Sequence, residues 1–211
     1  MILFITGAGI SAPSGIPTYR GQEDSLYNDK ELMTLMSKES LTNNFNNLKI
    51  HLEQWKNFVQ TKTYNEAHRL VTELCNKYDG YVITQNVDNF HELSGLPENR
   101  LYHIHGSLFE QRKDYNIPDV VLFGDDLKDE PSTFNIDNIT TIILVGTSLT
   151  VNSVDEYLLP NTNLYIINKE KPVVALEDYN FKSITYILDD VVEGLKQFKE
   201  MLYESNNFNR N

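Results

Sequence analysis

The feature that most constrains the fold is an apolar run at the start of the chain that breaks at a glycine. The run reads MILFIT and stops at Gly7, which predicts a buried strand followed by a tight turn. The turn continues as GAGISA and matches the G-x-G-x-x-[G/A] fingerprint of dinucleotide-binding folds. In that fingerprint Gly7 permits the turn, Gly9 lets the backbone approach a pyrophosphate, and Ala12 allows close helix packing. A plain turn between a strand and a helix is the alternative interpretation.

Six further apolar runs have the length of strands, and most are too uniformly apolar to have a wet face. They lie at 81–84, 101–105, 120–123, 141–145, 164–167 and 184–188. Between them, residues 65–77 and 191–203 place apolar side chains at helical spacing. Strands that alternate with helices predict an α/β fold, here a Rossmann-like parallel sheet with helices on both faces.

Residues 22–64 interrupt this alternation. They are polar and Asn-rich with two apolar stripes at helical spacing, and they are longer than an ordinary crossover connection. We therefore expect a small helical insertion packed over one edge of the sheet. With a length of 211 residues, the chain is predicted to form one domain over 1–211, ending in a frayed tail at 205–211.

Charge and composition exclude several classes of function. The chain has 18 Lys and Arg against 30 Asp and Glu, a formal net charge of −12. Its surface should therefore repel phosphate backbones, and nucleic acid is not an expected partner. No apolar run approaches the roughly 20 residues of a membrane helix, and no leader peptide is recognisable, so we expect a cytoplasmic protein with no membrane partner. Cys75 is the single cysteine, which excludes an intramolecular disulfide and a four-cysteine zinc site.

Polar residues follow two of the predicted strands at the point where each ends. Gln85, Asn86 and Asp88 follow one run, and His105 ends the next. Open α/β sheets bind ligands at the carboxyl ends of their strands, and a histidine with its ordinary pKa near 6.5 suits a general base. The alternatives are turn residues that cap a helix, and a histidine with a structural role.

The other histidines give no convincing metal site. His91 and His103 are close in sequence but lack the spacing of metal ligands. His51 and His68 are expected to be helix residues with no special role.

The glycine turn also departs from the pattern of hydride-transfer enzymes. Pro13 and Pro17 shorten the helix that should follow the turn, and no strand ending in an acidic residue follows about 20 positions later. An ordinary NAD-dependent dehydrogenase is therefore disfavoured.

Five groups of residues, in the expected order, resemble the motifs of the sirtuins, the NAD-dependent protein deacylases. They read GAGISAPSGIPTYRG at 7–21, TQNVDNFH at 84–91, HGS at 105–107, VLFGD at 121–125, and GTSL at 146–149 followed by IN at 167–168. A weaker match lies at Asp190 and Val191. The resemblance implies a sirtuin-like catalytic domain that uses NAD and acts on an acyl-lysine protein or peptide.

The resemblance also implies a role for each matching residue. His105 would take a proton from a ribose hydroxyl, Asn86 would order the ribose and a water, and Asp88 would hydrogen-bond the nicotinamide carboxamide. The products would be free lysine, nicotinamide and an acyl-ADP-ribose. Further cofactor contacts would come from Gly7, Ala8, Gly9, Ser11, Tyr19, Arg20, Gln85, Gly146, Thr147, Ser148, Asn168, Asp190 and Val191. The substrate backbone would dock on an open strand edge formed by Val121, Phe123 and Gly124.

Two departures from the family pattern shape the expected chemistry. Ten residues, 108–117, separate Ser107 from Pro118, where most sirtuins carry a four-cysteine zinc ribbon, so we expect a compact member without zinc. The helical insertion has no Tyr-x-x-Arg pair to bind a succinyl or malonyl carboxylate. We therefore expect acetyl or longer apolar acyl groups.

Two other functions are compatible with the same motifs. The first is an NAD glycohydrolase or ADP-ribosyltransferase, which the segment at 121–124 disfavours because water needs no peptide-docking strand. The second is a catalytically silent NAD or ADP-ribose sensor, which the presence of both Asn86 and His105 disfavours. Nothing in the sequence indicates an oligomeric state.

Overall fold

A computed structural model describes residues 1–18, 30–128, 135–149, 154–172 and 174–208 of the chain. Tyr19 and Arg20, two of the expected cofactor contacts, lie outside the described residues. The strands are β1 (Ile2–Thr6), β2 (Tyr81–Thr84), β3 (Leu101–His103), β4 (Gly106–Arg112), β5 (Ile117–Val120), β6 (Thr141–Val145), β7 (Asn163–Asn168) and β8 (Ser183–Leu188).

Six of these strands form one parallel sheet in the order β3-β2-β1-β6-β7-β8. This confirms the predicted parallel sheet. Strands β2 and β3 lie on one side of β1, and strands β6, β7 and β8 lie on the other side. The strand order therefore reverses at β1. Ligands bind at the carboxyl ends of parallel strands beside such a reversal of strand order, and the glycine turn leaves β1 at that point.

Some helices cover the sheet, and others pack against strands β4 and β5. They are α1 (Lys30–Leu35), α2 (Ser40–Asn43), α3 (Phe45–Gln60), α4 (Glu66–Tyr78), α5 (Phe90–Leu93) and α6 (Val191–Phe208). Helices α4 and α6 cover one face, where Leu74 and Phe198 pack in the same cluster as Phe4 of β1. The other face is covered by segments that include the 3₁₀-helices Asp155–Tyr157 and Glu177–Tyr179. No helix in the described ranges combines the length and apolar character needed to cross a membrane.

The two predicted helices are present, and their ends differ from the predicted bounds. Helix α4 begins at Glu66 because the Asn65 side chain accepts the Ala67 N–H and acts as N-cap. Helix α6 extends to Phe208, so the backbone of residues 205–208 is helical where the sequence predicts a frayed tail. No Gly or Pro occurs between 195 and 208 to stop the helix.

The helical insertion packs on a hairpin that the sequence does not predict. Strands β4 and β5 pair antiparallel, and Leu48 and Leu52 of α3 share a buried cluster with Leu108 of β4 and Ile117 of β5. That cluster contains no residue of the six-stranded sheet, so the expected packing over the sheet edge is wrong. The hairpin supplies the apolar surface that the insertion buries.

Two predicted strands also end earlier than their apolar runs. Strand β3 stops at His103, so Ile104 and His105 belong to the following turn. The run at 120–123 contributes only Val120 to β5. After β3 the chain turns into the hairpin, and after β5 it leaves the hairpin as a loop. Apolar character alone reveals neither turn.

Candidate active site

The glycine turn leaves β1 as two short 3₁₀-helices, Ala8–Ile10 and Ala12–Ser14. The short first helix predicted from the prolines is therefore confirmed. Gly7 has φ −123° and ψ −173°, a conformation that any residue adopts, so the explanation of Gly7 by a tight turn is wrong. A Cβ atom on Gly7 would lie 2.8 Å from the Cβ of Thr147. Contact with the loop after β6 is what excludes a side chain here.

Gly9 also packs closely against the loop after β6. Its N–H donates to the Gly146 carbonyl at 2.9 Å, and a Cβ on Gly9 would lie 2.6 Å from the Gly146 Cα. Gly146 has φ +61°, in the left-handed region that favours glycine. The fingerprint does not predict this packing role for Gly9. Ala12 is exposed, so its predicted role in close helix packing is wrong.

Three buried polar side chains join the glycine turn to the end of β2. Asn86 Nδ2 donates to the Gly7 carbonyl at 3.2 Å and to Ser11 Oγ at 3.1 Å. The Ser11 hydroxyl donates in turn to Asp88 Oδ2 at 2.8 Å. Burial raises the pKa of Asp88, and hydrogen bonds from Ser11 and from the Phe90 N–H partly offset this effect. The predicted residues of the two segments therefore meet at one place.

His105 follows β3 and is oriented by the backbone of the neighbouring segment. Its Nδ1 lies 2.9 Å from the Gln85 carbonyl oxygen. Because a carbonyl only accepts, Nδ1 carries the hydrogen and Nε2 of the neutral ring keeps its lone pair. Burial lowers the pKa of His105, with a partial offset from the bond to Gln85. At neutral pH the ring is therefore an unprotonated base.

Three of the predicted cofactor contacts, Thr147, Ser148 and Asn168, lie just after β6 and at the end of β7. Thr147 Oγ1 donates to Gln85 Oε1 at 2.7 Å, and Asn168 Nδ2 donates to the Thr147 carbonyl at 3.2 Å. Ser148 is exposed beside Thr147. These bonds connect the loop after β6 with the loop after β2 on one side and with β7 on the other.

Asp190 and Val191 lie at the start of α6, and both side chains have structural partners. The Asp190 carboxylate accepts the Val192 N–H at 2.9 Å and the Glu193 N–H at 3.2 Å, so it caps the helix. Val191 is buried in the cluster between α6 and the sheet. The Val191 side chain is therefore committed to the core.

The predicted substrate segment follows β5 as a loop. The Val121 N–H donates to the His105 carbonyl at 2.8 Å, and the Phe123 N–H donates to the Met36 carbonyl at 2.9 Å. Phe123 is therefore paired with the helical insertion and is not an open edge. Within the described part of the chain, the Val121 carbonyl and the Gly124 N–H have no hydrogen-bond partner.

A small recess, open to solvent, lies where these segments meet. The residues that line it come from the glycine turn, the end of β2 and helix α3: Ala8, Ser11, Ile16, Trp55, Val59, Asn86, Val87 and Asp88. The recess combines one carboxylate, one amide and one hydroxyl with an apolar wall. His105 is not among these lining residues, but its ring is bonded to Gln85, the residue before Asn86.

Asn65 and His68, at the start of α4, also contact the glycine turn, so the expectation that His68 has no special role is wrong. Asn65 Nδ2 donates to the Ile10 carbonyl at 2.8 Å, and His68 Nε2 lies 3.4 Å from Ser11 Oγ. The spacing N-x-x-H before an apolar helical stripe resembles a capping box. That signal is present in the sequence and identifies the pair.

The remaining histidines near the site have other partners. His91 Nε2 lies 3.0 Å from Thr6 Oγ1, and His103 Nε2 lies 2.9 Å from Glu92 Oε1. Burial lowers the pKa of His91 well below its usual value, whereas in His103 the bond and charge of Glu92 outweigh burial and the pKa is raised. The described residues contain no group of three or more His, Cys, Asp or Glu side chains that could hold a metal ion.

Comparisons of the sequence and of the fold with known proteins all point to the same family. A model of the Sir2 family matches residues 7–114. An NAD-dependent protein deacylase of Aggregatibacter actinomycetemcomitans is 31% identical over 192 residues, covering 78% of this chain and 90% of the relative. The NAD-dependent protein deacylase Sir2 of Mycolicibacterium smegmatis is 31% identical over 180 residues, covering 70% and 74%. A mutant Sir2 homologue solved with ADP-ribose has the same fold, with a TM-score of 0.74 at 22% identity over 98% of this chain and 93% of that one.

Proposed function

The chain belongs to the Sir2 family, and we propose that it is an NAD-dependent protein lysine deacylase. In this reaction NAD, an acyl-lysine and one water give nicotinamide, free lysine and an ADP-ribose that carries the acyl group. The observation that carries the proposal is the meeting of Asn86, Asp88 and the glycine turn at one recess, with the unprotonated ring of His105 bonded to the adjoining backbone.

The residues at the recess fit the nicotinamide end of NAD. A planar aromatic amide needs an apolar wall and an acceptor for its N–H group. The wall is supplied by Ile16 and Val87, and the acceptor by the buried carboxylate of Asp88. Bound NAD supplies an electrophilic ribose carbon and nicotinamide as its leaving group. The relatives described above are NAD-dependent by name, and the Sir2 homologue binds ADP-ribose.

His105 and Asn86 supply the polar groups for the ribose. With Nδ1 donating to Gln85, the Nε2 lone pair of His105 accepts a hydroxyl proton, which makes the oxygen a better nucleophile. Both N–H groups of Asn86 are used, one on the Gly7 carbonyl and one on Ser11 Oγ. This leaves the amide oxygen of Asn86 to accept a hydrogen bond from a ribose hydroxyl or a water.

The loop after β5 supplies the docking site for the acyl-lysine peptide. The Val121 carbonyl and the Gly124 N–H are an acceptor and a donor without partners among the described residues, and an extended peptide can bond to such groups. Because the Val121 N–H bonds to the His105 carbonyl, a peptide docked here lies next to the residue that carries the base. Main-chain bonds give affinity with little dependence on peptide sequence.

Helix α3 favours an uncharged acyl group. Trp55 and Val59 contribute apolar surface to the recess, and no Arg or Lys is among its described lining residues. A buried carboxylate without a cationic partner is strongly disfavoured. We therefore expect acetyl-lysine and longer apolar acyl-lysines to be turned over faster than succinyl-lysine.

One assay tests the proposed function. The protein is incubated with NAD and an acetyl-lysine peptide, with the same peptide unacetylated as the matched control, and nicotinamide release is followed alongside lysine deacetylation. We expect nicotinamide release that depends on the acetyl group and equals the amount of free lysine formed. Equal release with either peptide would show NAD hydrolysis and contradict the proposal, as would binding of NAD without any release.

A further inference from the structure

His103, in the edge strand β3, bonds two groups that can only accept a hydrogen. Its Nδ1 lies 3.2 Å from the Asn86 carbonyl oxygen, and its Nε2 lies 2.9 Å from Glu92 Oε1. A carbonyl oxygen and an ionised carboxylate have no hydrogen to donate, so each bond requires an N–H on the ring. A neutral imidazole carries one N–H and an imidazolium carries two. The geometry therefore identifies His103 as an imidazolium.

The groups around the ring favour the charged form. The His103 side chain is 12% exposed, and burial lowers its pKa, but the hydrogen bond and charge of Glu92 outweigh burial and raise the pKa. The Asp88 carboxylate adds a second favourable charge. His91 also faces the ring, but burial lowers its pKa well below the usual value, so it is neutral and adds no opposing charge. Within the described ranges no Lys or Arg forms an ion pair with Glu92, which leaves His103 as its cationic partner.

The Asn86 carbonyl is one of two successive carbonyls that histidines hold in the segment after β2. His105 Nδ1 donates to the Gln85 carbonyl at 2.9 Å, and His103 Nδ1 donates to the Asn86 carbonyl. These carbonyls belong to the peptide groups before and after the Asn86 Cα, so the two rings fix the backbone on both sides of this residue. The buried Asn86 side chain extends from that backbone to the Gly7 carbonyl. Loss of the His103 bond therefore acts on the orientation of Asn86.

Loss of one proton changes the contact between His103 and Asn86 from attractive to repulsive. The single N–H of a neutral ring goes to the Glu92 carboxylate, because hydrogen bonds to an ionised group are roughly twice as strong as neutral ones. The Nδ1 lone pair of His103 then faces the lone pairs of the Asn86 carbonyl oxygen at 3.2 Å. This carbonyl has no other hydrogen-bond donor among the described residues, so its peptide group must turn away from the ring.

We propose that His103 is a positioning residue for NAD: as an imidazolium held by Glu92, it fixes the Asn86 backbone, and the affinity for NAD falls as pH rises and the ring loses its proton. The inference rests on the proposed function, because it takes the Asn86 amide as a contact of the NAD ribose. The protonated ring is the competent form, so its contribution is present at low pH and is lost as pH rises through the His103 pKa. Because that pKa is raised, the loss occurs above the ordinary value of 6.5.

The test is a calorimetric titration of NAD at pH values that span the ionisation of histidine. The wild-type protein is compared with Glu92→Gln, which removes the charge but keeps an oxygen that accepts from Nε2, and with His103→Arg, whose guanidinium stays charged throughout. We expect the wild-type affinity to fall about 5-fold as pH rises, with a midpoint above 6.5. In Glu92→Gln the midpoint should move to lower pH, and in His103→Arg the fall should be absent.

Glu98→Gln is the matched control, because Glu98 is an exposed glutamate in the 3₁₀-helix Glu98–Arg100 just before β3. It should have the wild-type midpoint. A midpoint that does not move in Glu92→Gln would overturn the inference. A fall in affinity that persists in His103→Arg would also overturn it, because another group such as Asp88 would then be responsible.

A measurement without ligand keeps the inference testable if a variant does not fold. In the wild-type protein, the nitrogen chemical shifts of the His103 ring, measured by NMR, should show both ring nitrogens protonated at neutral pH. A single protonated nitrogen would overturn the inference. Neither measurement needs an acyl substrate, so a protein that shows this pH dependence of NAD binding but does not deacylate a peptide would contradict the proposed function alone.

Discussion

The two sides of the active site are held in place by different kinds of contact. On the cofactor side, the glycine turn packs against Gly146 at distances that leave no room for a methyl group, and its polar side chains are buried. On the substrate side, the loop from Val121 to Gly124 is partly exposed and is anchored through Asp125 by an ion pair with Arg112. Steric contacts are not replaceable by water, whereas the Arg112 guanidinium, whose side chain is 21% exposed, can exchange part of its bonding for water. Substitutions should therefore affect the cofactor side more strongly.

His105 joins the two sides, and its removal should have the largest effect. Its ring bonds the Gln85 carbonyl on the cofactor side, and its own carbonyl accepts the Val121 N–H on the substrate side. His105→Ala removes the base and keeps the backbone bond, so we expect deacylation to fall by about 10²- to 10⁴-fold. NAD affinity should stay within about threefold of wild type. Steady-state kinetics with an acetyl-lysine peptide and an NAD titration measure the two quantities, and undiminished deacylation would exclude His105 as the base.

Gly9→Ala tests the steric contact on the cofactor side. The added Cβ would lie 2.6 Å from the Gly146 Cα and 2.8 Å from the Gly146 carbonyl oxygen, both backbone atoms that cannot move aside cheaply. We expect the free energy of unfolding in urea to fall by about 1–3 kcal/mol and NAD affinity to fall with it. Ala12→Ser is the matched control in the same turn, because Ala12 is exposed. A Gly9→Ala protein as stable as this control would show that the two loops are not in tight contact.

These contacts also show what the sequence could and could not predict. Runs such as MILFIT identify strands because a strand buried on both faces must be apolar throughout, and the carboxyl-end position of Asn86 and Asp88 follows from the parallel sheet. The contact of His68 with Ser11 joins residues 57 positions apart, which no local pattern encodes. The sequence does not predict the hairpin of β4 and β5 for a related reason. Its apolar residues pack against α3, and the hairpin's own sequence does not indicate that packing.

The pH dependence of the reaction tests the environment of His105. A base must be unprotonated, and burial lowers the pKa of His105 below its ordinary value of 6.5. As pH falls, half of the activity is therefore lost only below pH 6.5, and the loss then approaches about tenfold per pH unit. A profile of kcat/KM against pH should have its acid midpoint below 6.5. A midpoint above 6.5 would mean that the protonated imidazole is stabilised and that burial is not the dominant effect on this residue.

The smallest expected effect is that of the ion pair on the substrate side. Arg112 Nη2 lies 2.8 Å from Asp125 Oδ2, and the same oxygen accepts the Leu122 N–H at 3.3 Å. The pair therefore holds the turn that follows Val121. Because Lys38 also lies 3.7 Å from Asp125, Arg112→Gln leaves the carboxylate with one cation. We expect the KM for the peptide to rise about 3- to 5-fold, on the order of 1 kcal/mol, with kcat and the KM for NAD unchanged.

The matched control is Arg100→Gln. Arg100 makes an ion pair of the same length with Asp79, and its side chain is 26% exposed against 21% for Arg112, but Asp79 is 71% exposed whereas Asp125 is 7% exposed. It precedes β3, at the end of the sheet opposite the active site. Because both variants remove a mostly buried arginine and its ion pair, the melting temperature of each is recorded with its kinetics. At equal melting temperatures, a rise in peptide KM for Arg112→Gln alone would assign the effect to the loop and not to a general loss of stability. An equal rise in both variants, or a change in the KM for NAD, would contradict the conclusion that separate contacts hold the cofactor side and the substrate side of the site.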